Sequence, residues 1–422
     1  MAQEVLAVAT DATHGGLGAD YAPFGAEHVA DPYVFSGRAR AEEPVFFSPY
    51  LDAWVVTRYE DAVAVLKDHR RFAISVLRAR ETRQTPEART ILARSPILAT
   101  SLVQIDPPEH TRMRGCISRA LSGQRIAGLE PRIRALSDRL IDRLEPDGRG
   151  DFVARFAQPF PIMVIGSLLD VPEADFPQLQ RWSYDVAALL YGEVPPEEQA
   201  GCARSYVAVN QYVLDMADRR RLAPGHDLAS DLVRAVEAGE APLSASEVGS
   251  MLRILLIAGY ETTVKLLGSC LLHLLSRPER WRSVVEDPTR VPAVVEEALR
   301  FDGPVLGSMR TAREAVELGG RPIPQGAAVW VLNSSANRDE AVFPDGETFD
   351  PDRERPAGHL AFGYGVHFCI GAPLARLETR IALERLAARL PSLRLVADQE
   401  ISYRPNMILR GLHQLLVEWD RP

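Results

Sequence analysis

Three observations predict a mainly helical protein with small β-sheets at one side, an α+β chain. Apolar residues recur at spacings of three and four over most of the chain after Pro108. Two β-prone regions stand apart from them, one before residue 60 and one at about 316–332. A glycine-rich stretch at 362–371 delivers a single cysteine to the start of one more apolar periodic run, Ala372, Leu374, Ala375, Leu377, Ile381 and Ala382.

Taken in order, residues 1–18 are small, polar and Gly-rich and are expected to be disordered, with 19–422 forming one unit. Pro44 to Phe47 and Ala53 to Thr57 read as strands around the turn Pro49-Tyr50-Leu51-Asp52, and a helix is expected from Glu60 to Lys67. The charged stretch from Arg78 to Ser95 has weak periodicity and reads as a long mobile connection. Helical spacing then recurs through 125–145, 160–170, 203–220 and 245–276, with breaks at Pro146-Asp147-Gly148, Gly192 to Pro196 and Pro224-Gly225. Ser244 and Glu247 form a Ser-x-x-Glu capping box at the head of the last of these helices. A small β region covers Val316 to Leu332, and a final strand pair is expected between Ile401 and Trp419.

Composition narrows the function. A length of 422 residues allows a large core, and 25% charged with 46% hydrophobic residues is ordinary for a soluble globular protein. The net charge of −9 argues against a nucleic-acid binder, which needs a basic surface. Cys116, Cys202, Cys270 and Cys369 are far apart with no CxxC pair, so a zinc site is not expected and a reducing compartment is. The N-terminus lacks a basic segment followed by an apolar one, and the apolar window Ile254 to Leu275 is interrupted by Glu261 and Lys265. No membrane association is therefore expected, and the cytoplasm is the expected location.

The chemistry is concentrated in Phe362-Gly363-Tyr364-Gly365-Val366-His367-Phe368-Cys369-Ile370-Gly371. Glycines allow a tight turn at positive φ and close approach to a flat ligand. A helix N-terminus favours the thiolate form of Cys369, and a thiolate is a strong axial donor to haem iron. The plain alternative is a buried structural cysteine beside a turn. This ten-residue pattern resembles the haem-ligand loop of the cytochromes P450, and the resemblance extends over nearly the whole chain. It implies the P450 fold: a long central helix over haem b, and the cysteine loop on the opposite haem face with Cys369 as the iron ligand.

The same resemblance assigns further residues. Ala258-Gly259-Tyr260-Glu261-Thr262-Thr263 matches the family's oxygen-activation motif, implying that Thr262 stabilises bound dioxygen, Glu261 delivers protons and Ala258 lies against the cofactor. By itself the segment also fits a surface acid and back-bonded threonines in an ordinary helix. Glu297 and Arg300 match the family's Glu-x-x-Arg pair, completed by Arg353 in a structural role. His110 and Arg114, four apart on one helix face, match the family's haem-propionate ligands together with Arg310 and His367, and Phe362 belongs to the cofactor-binding loop. Segments around Glu43 to Lys67 and Val396 to Asp420 are similar to haem domains of self-sufficient bacterial P450s, without a reductase segment following.

The implied function is insertion of one oxygen atom from O2 into an apolar small molecule. Electrons would come from NAD(P)H, used only indirectly through separate ferredoxin reductase and ferredoxin chains, and the protein is expected to be a monomer. The alternatives are a peroxide-using or non-oxygenating haem-thiolate enzyme and, in another class, a haem-binding sensor without turnover. Residues 74–104 and 185–200, Leu255, Ala258, Val305 to Met309 and Met407 to Leu409 are the expected pocket wall. Arg112, Arg119, Arg376 and Arg380 are expected to form a basic face for an acidic ferredoxin.

Overall fold

The computed structural model describes residues 16–74, 84–96, 100–354 and 358–421. In chain order, strands β1 (Val45–Ser48), β2 (Ala53–Val56) and β3 (Phe72–Ile74) precede helices α1 (Pro86–Leu92) and α2 (Glu109–Ala120). Strand β4 (Arg149–Asp151) leads into α3 (Pro159–Leu169), α4 (Phe176–Tyr191), α5 (Pro196–Leu222), α6 (Ala245–Leu275) and α7 (Val291–Asp302). Strands β5 (Ser308–Ala312), β6 (Val316–Leu318), β7 (Arg321–Ile323) and β8 (Ala328–Val331) follow, then α8 (Ala372–Arg389), β9 (Arg394–Leu395) and β10 (Leu416–Glu418).

Helix α6 organises the core. Its capping box is complete: the Ser244 hydroxyl accepts from the Glu247 amide, and the Glu247 carboxylate accepts from the Ser244 amide. That satisfies two of the donors a helix start leaves unpaired. With 31 residues it is about 46 Å long. It is apolar on nearly all sides, so it has to be surrounded. Helices α3, α4, α5, α7 and α8 supply the cover. Gly259 lets α3 approach, with Ile165 Cδ1 in ordinary contact at 3.6 Å from where a β-carbon would sit. By length and hydropathy α6 would suit a bilayer, against the sequence expectation; it is instead mostly buried inside the protein.

The main sheet has the order β1-β2-β8-β5-β3, with β2 and β8 parallel and the other pairs antiparallel. Strand β5 is therefore internal, and Arg310 is held between Ile74 on β3 and Val329 on β8. Strands β4-β10-β9 and the β6-β7 hairpin form the smaller sheets.

Three expectations need correction. Leu17 and Gly18, inside the stretch expected to be disordered, are buried in a helical turn where the Leu17 amide donates to Glu43; the rest of that expectation, residues 1–15, lies outside the described residues. The Arg78 to Ser95 connection contains α1, capped by the Thr85 hydroxyl, and the stretch is fastened to α5 by the Thr85 amide on Gln199 and by Asn210 on Ser95. Residues 75–83 of that connection lie outside the described residues. The terminal strand pair is reduced to β10, which pairs with β4 and β9, plus one bridge between Tyr403 and Leu412. Asn406 explains the loss: its side chain accepts from the Ile408 and Leu409 amides and turns the chain away from self-pairing.

Candidate haem-thiolate active site

The cysteine loop is built by two glycines and one backbone bond. Gly363 and Gly365 adopt φ of +72° and +71°. A β-carbon at Gly365 would stand 2.7 Å from the Leu66 carbonyl oxygen, so only glycine suits both the conformation and the close approach. The Cys369 amide donates to the Phe362 carbonyl at 2.9 Å, which closes the loop and sets the sulfur just ahead of α8. Cys369 keeps an exposed surface. Crowding by protein nevertheless pushes its thiol above the ordinary value; the Gly371 and Ala372 amides and the charges of Arg114 and Arg376 pull the other way. The expected helix-end stabilisation of the thiolate is therefore present but outweighed, and a cation at the sulfur is what would tip it.

Beside this loop lies a cluster with too much positive charge. His110 on α2 is buried and its Nδ1 has no hydrogen-bond partner among the described residues. Its ring centre is 4.3 Å from that of His367. Arg310 is buried, donates only to the Met309 carbonyl at 2.8 Å, and has no carboxylate within ion-pair reach among the described residues. Arg114 donates to the Phe368 carbonyl at 2.7 Å, within the loop itself. Burial, with its neighbours His110 and Arg310, pushes His367 down to about 4; burial also pushes Arg310 down to about 10. Burial thus disfavours the charged forms here, and Asp106 offsets this only in part. The two propionates of haem would supply further negative charge, so the residues fit that group.

One residue here was overlooked in the sequence. Asp106 accepts from the Ile74 amide at 3.2 Å and from Arg313 at 2.8 Å, and lies 3.5 Å from His367 Nε2. It ties β3, the end of β5 and the cysteine loop together. Its signal was its place at the head of the Asp106 to Arg114 run, where attention went to the basic residues.

Glu297, Arg300 and Arg353 lie together. Glu297 and Arg300 are fully buried and joined by bonds of 2.7 and 2.8 Å, and Arg353 Nε lies 3.6 Å from Glu297. Arg300 also donates to the carbonyls of Asn337, Gly346 and Thr348, and the Asp350 amide donates to Glu297. This network anchors the chain that leads to the cysteine loop.

On α6, Ala258 is exposed and Thr262 half-buried in the middle of a helix that is otherwise enclosed, so this face borders open space. Thr262 Oγ1 donates to the Ala258 carbonyl at 2.8 Å and keeps its lone pairs as acceptors. Glu261 is buried and paired with Lys265 at 2.5 Å, a partner the sequence reading did not assign. Three of the segments expected to wall the pocket meet: Leu306 donates to Ile408 at 2.8 Å, Val305 bridges Leu409, and Met407 donates to Tyr191 at the end of α4; residues 75–83 and 97–99 of the expected wall lie outside the described residues.

The expected basic face is largely neutralised. Arg112 is bound to Glu247 and the Pro242 carbonyl, Arg376 to Glu296 at 2.6 Å, and Arg380 to Glu130 and Glu384. Of the four arginines, Arg119 alone has no carboxylate within reach among the described residues.

A thiol on a glycine loop, a cluster short of anions and a long helix with a hydroxyl-bearing open face define a haem-thiolate protein. Comparison with known proteins gives the family. Residues 206–391 match the family model described as Cytochrome P450. The chain is 40% identical over 371 residues to cytochrome P450 107B1 of Saccharopolyspora erythraea, covering 87% of this chain and 89% of that one. It is 38% identical over 378 residues to 6-deoxyerythronolide B hydroxylase of the same organism, covering 87% and 91%. An intact type IV self-sufficient cytochrome P450 monooxygenase superposes with a TM-score of 0.90 at 33% identity, over 96% of this chain and 53% of that one. The chain belongs to the cytochrome P450 family. It is a monooxygenase with haem b as its cofactor, and the alternative of a sensor without turnover is dropped.

Proposed function

We propose that this enzyme hydroxylates an apolar small molecule of the polyketide macrolactone class, with electrons from NAD(P)H passed through a separate ferredoxin reductase and ferredoxin. One oxygen atom of O2 enters a C–H bond; the other leaves as water, using two electrons and two protons. The observation that carries the haem-thiolate reading is the pairing of the Cys369 loop with the buried Arg310 guanidinium, which has no carboxylate within ion-pair reach among the described residues, and with the His110 Nδ1, which has no hydrogen-bond partner among them. The substrate class is supported by the 6-deoxyerythronolide B hydroxylase among its relatives and by the aliphatic character of Leu255, Leu306, Met309, Met407 and Leu409.

In this reading Cys369 Sγ is the sole protein ligand to iron, and Arg310, Arg114, His110 and His367 hold the propionates. Ala258 and Phe362 border the ring, and the Glu297, Arg300 and Arg353 trio acts structurally. Haem supplies the binding and cleavage of dioxygen. Thr262 contributes an acceptor: its proton is committed to Ala258, so its oxygen can hold a water beside the reacting centre. Glu261 holds the proton that this water passes on. The apolar wall excludes bulk water and orients the substrate. We place the enzyme in the cytoplasm as a monomer formed by one haem domain that includes Leu17 and Gly18.

The test is a titration of the haem-loaded protein with 6-deoxyerythronolide B, following the Soret band. A shift to shorter wavelength, and a product one oxygen heavier with surrogate ferredoxin, its reductase and NADPH, are expected. Neither shift nor product removes the macrolactone assignment. Product formed with hydrogen peroxide but not with NADPH and redox partners favours the peroxide-using alternative.

A further inference from the structure

Glu261 and Lys265 lie one turn apart on α6, with Oε1 and Nζ 2.5 Å apart and both side chains about 5% exposed. A surface pair at this spacing contributes little; a buried one carries a desolvation cost and persists when its remaining atoms are satisfied or used. Here they are not satisfied. Among the described residues Glu261 Oε2 accepts no hydrogen bond, and Lys265 Nζ donates one, to Glu261 Oε1.

The surroundings are polar on one side. Nζ stands 5.7 Å from the centre of the Tyr184 ring on α4, and the Arg404 guanidinium lies over the same ring at 5.3 Å. Gln158 donates to the Tyr184 hydroxyl at 3.1 Å, and the Tyr260 ring lies edge-on to Tyr184. Arg404 is exposed and Tyr184 half-buried, so this side leads outward. On the other side a β-carbon at Gly411 would collide with the Lys265 stem, so the lysine is held in place by the chain around it.

We infer that Lys265 is a positioning residue for the reaction, sharing one proton with Glu261 and reloading that carboxylate after it has given its proton away. The inference rests on the role proposed above for Glu261. The balance is simple. Lysine ammonium and glutamate carboxylate exchange one proton to become amine and carboxylic acid, with no change in net charge. Glu261 releases that proton toward the water held by Thr262, and the Lys265 amine takes a replacement from solvent. The charges that face Nζ are Glu261 and Arg404, with the neutral hydroxyls of Tyr184 and Tyr260 nearby. Burial pushes the Lys265 pKa below its usual range, Glu261 opposes this, and Arg404 adds to it.

The test uses the haem-loaded protein with surrogate ferredoxin, its reductase and NADPH, without added substrate. The peroxide formed per NADPH reports protons that fail to arrive in time. Lys265→Met and Lys265→Arg are both expected to raise this ratio severalfold, as Glu261→Gln does, because methionine has no proton and arginine does not release one. A Lys265→Arg variant that behaves as wild type means only a fixed positive charge is needed, and overturns the inference. If Glu261→Gln is also like wild type, the role of Glu261 itself fails and this inference with it. Infrared spectra give an independent reading: Lys265→Met should show a protonated carboxyl band at neutral pH that Glu261→Gln removes, and its absence overturns the coupling. Should Lys265→Arg not fold, the pH profile decides. The wild-type peroxide ratio should rise with pH as Lys265 loses its proton; a Lys265→Met profile with the same rise overturns the inference.

Discussion

Two buried carboxylates, Glu297 and Glu261, sit on neighbouring helices with a cation three or four residues further on, yet their surroundings differ. Glu297 uses both oxygens: Oε1 accepts from Arg300 and the Asp350 amide, and Oε2 accepts from Arg300 with Arg353 close by. Arg300 is equally occupied, with three backbone carbonyls in addition. Among the described residues Glu261 has one hydrogen-bond partner and one idle oxygen. Saturation makes the first cluster a fastening, since every atom would lose by moving. Incomplete saturation leaves the second free to exchange a proton, at a cost in stability that the surrounding apolar core offsets. Arg310 is a third state, a buried cation with no carboxylate within ion-pair reach among the described residues, which marks a place for an anionic group from outside the chain.

The contrast is open to direct attack. The largest effect is expected at Cys369. Cys369→Ala should abolish the red-shifted Soret band of the ferrous carbon monoxide complex while leaving the fold's circular dichroism intact; a retained band would show that the thiolate is misassigned. Glu297→Ala should do the opposite, acting on the fold first. It strands Arg300 in the core, at a cost of about 3–5 kcal/mol. Thermal denaturation should show that loss, and a melting curve like the wild type's would mean that the saturated cluster is not a fastening.

Smaller changes sharpen the distinction. Arg310→Met should weaken haem retention by about 1.5–3 kcal/mol, the worth of hydrogen bonds to a charged group, as measured by haem transfer to apomyoglobin. The haem-free protein should be no less stable, because a buried cation without a partner has been removed. A loss of stability without haem would place Arg310 with the fastenings. Thr262→Ala should leave NADPH consumption in the presence of substrate but yield more peroxide and less product. Thr263→Ala should do so less, because its hydroxyl lies about 100° further round the helix. An unchanged product-to-NADPH ratio in Thr262→Ala would reduce Thr262 to a helix residue.

Much of this was legible in the chain because it is local. The cysteine loop is ten consecutive residues, and its glycines are dictated by backbone conformation at those positions. The capping box and the Glu297 to Arg300 pair each join residues three positions apart, within about one helical turn. The Glu261 to Lys265 pair was equally readable as an i, i+4 spacing, but spacing does not tell a solvated pair from a buried one. The helical spacing after Pro108 and the β-prone runs at β1 and β2 determined a mainly helical chain with small sheets, because helical periodicity follows from which side of an element must face the core. Tertiary structure decided the rest. Arg112 with Glu247, Arg376 with Glu296 and Arg380 with Glu130 join residues 135, 80 and 250 positions apart, so a face that looks basic in sequence is mostly neutral when folded. The course of 404–411 was decided by what it meets, Pro304 to Leu306 and Tyr191, and not by its own propensity for strand. The lack of an anion beside Arg310 is likewise visible only once β3, β5, α2 and the cysteine loop are brought together, because charge balance is a property of a volume and the sequence is a line.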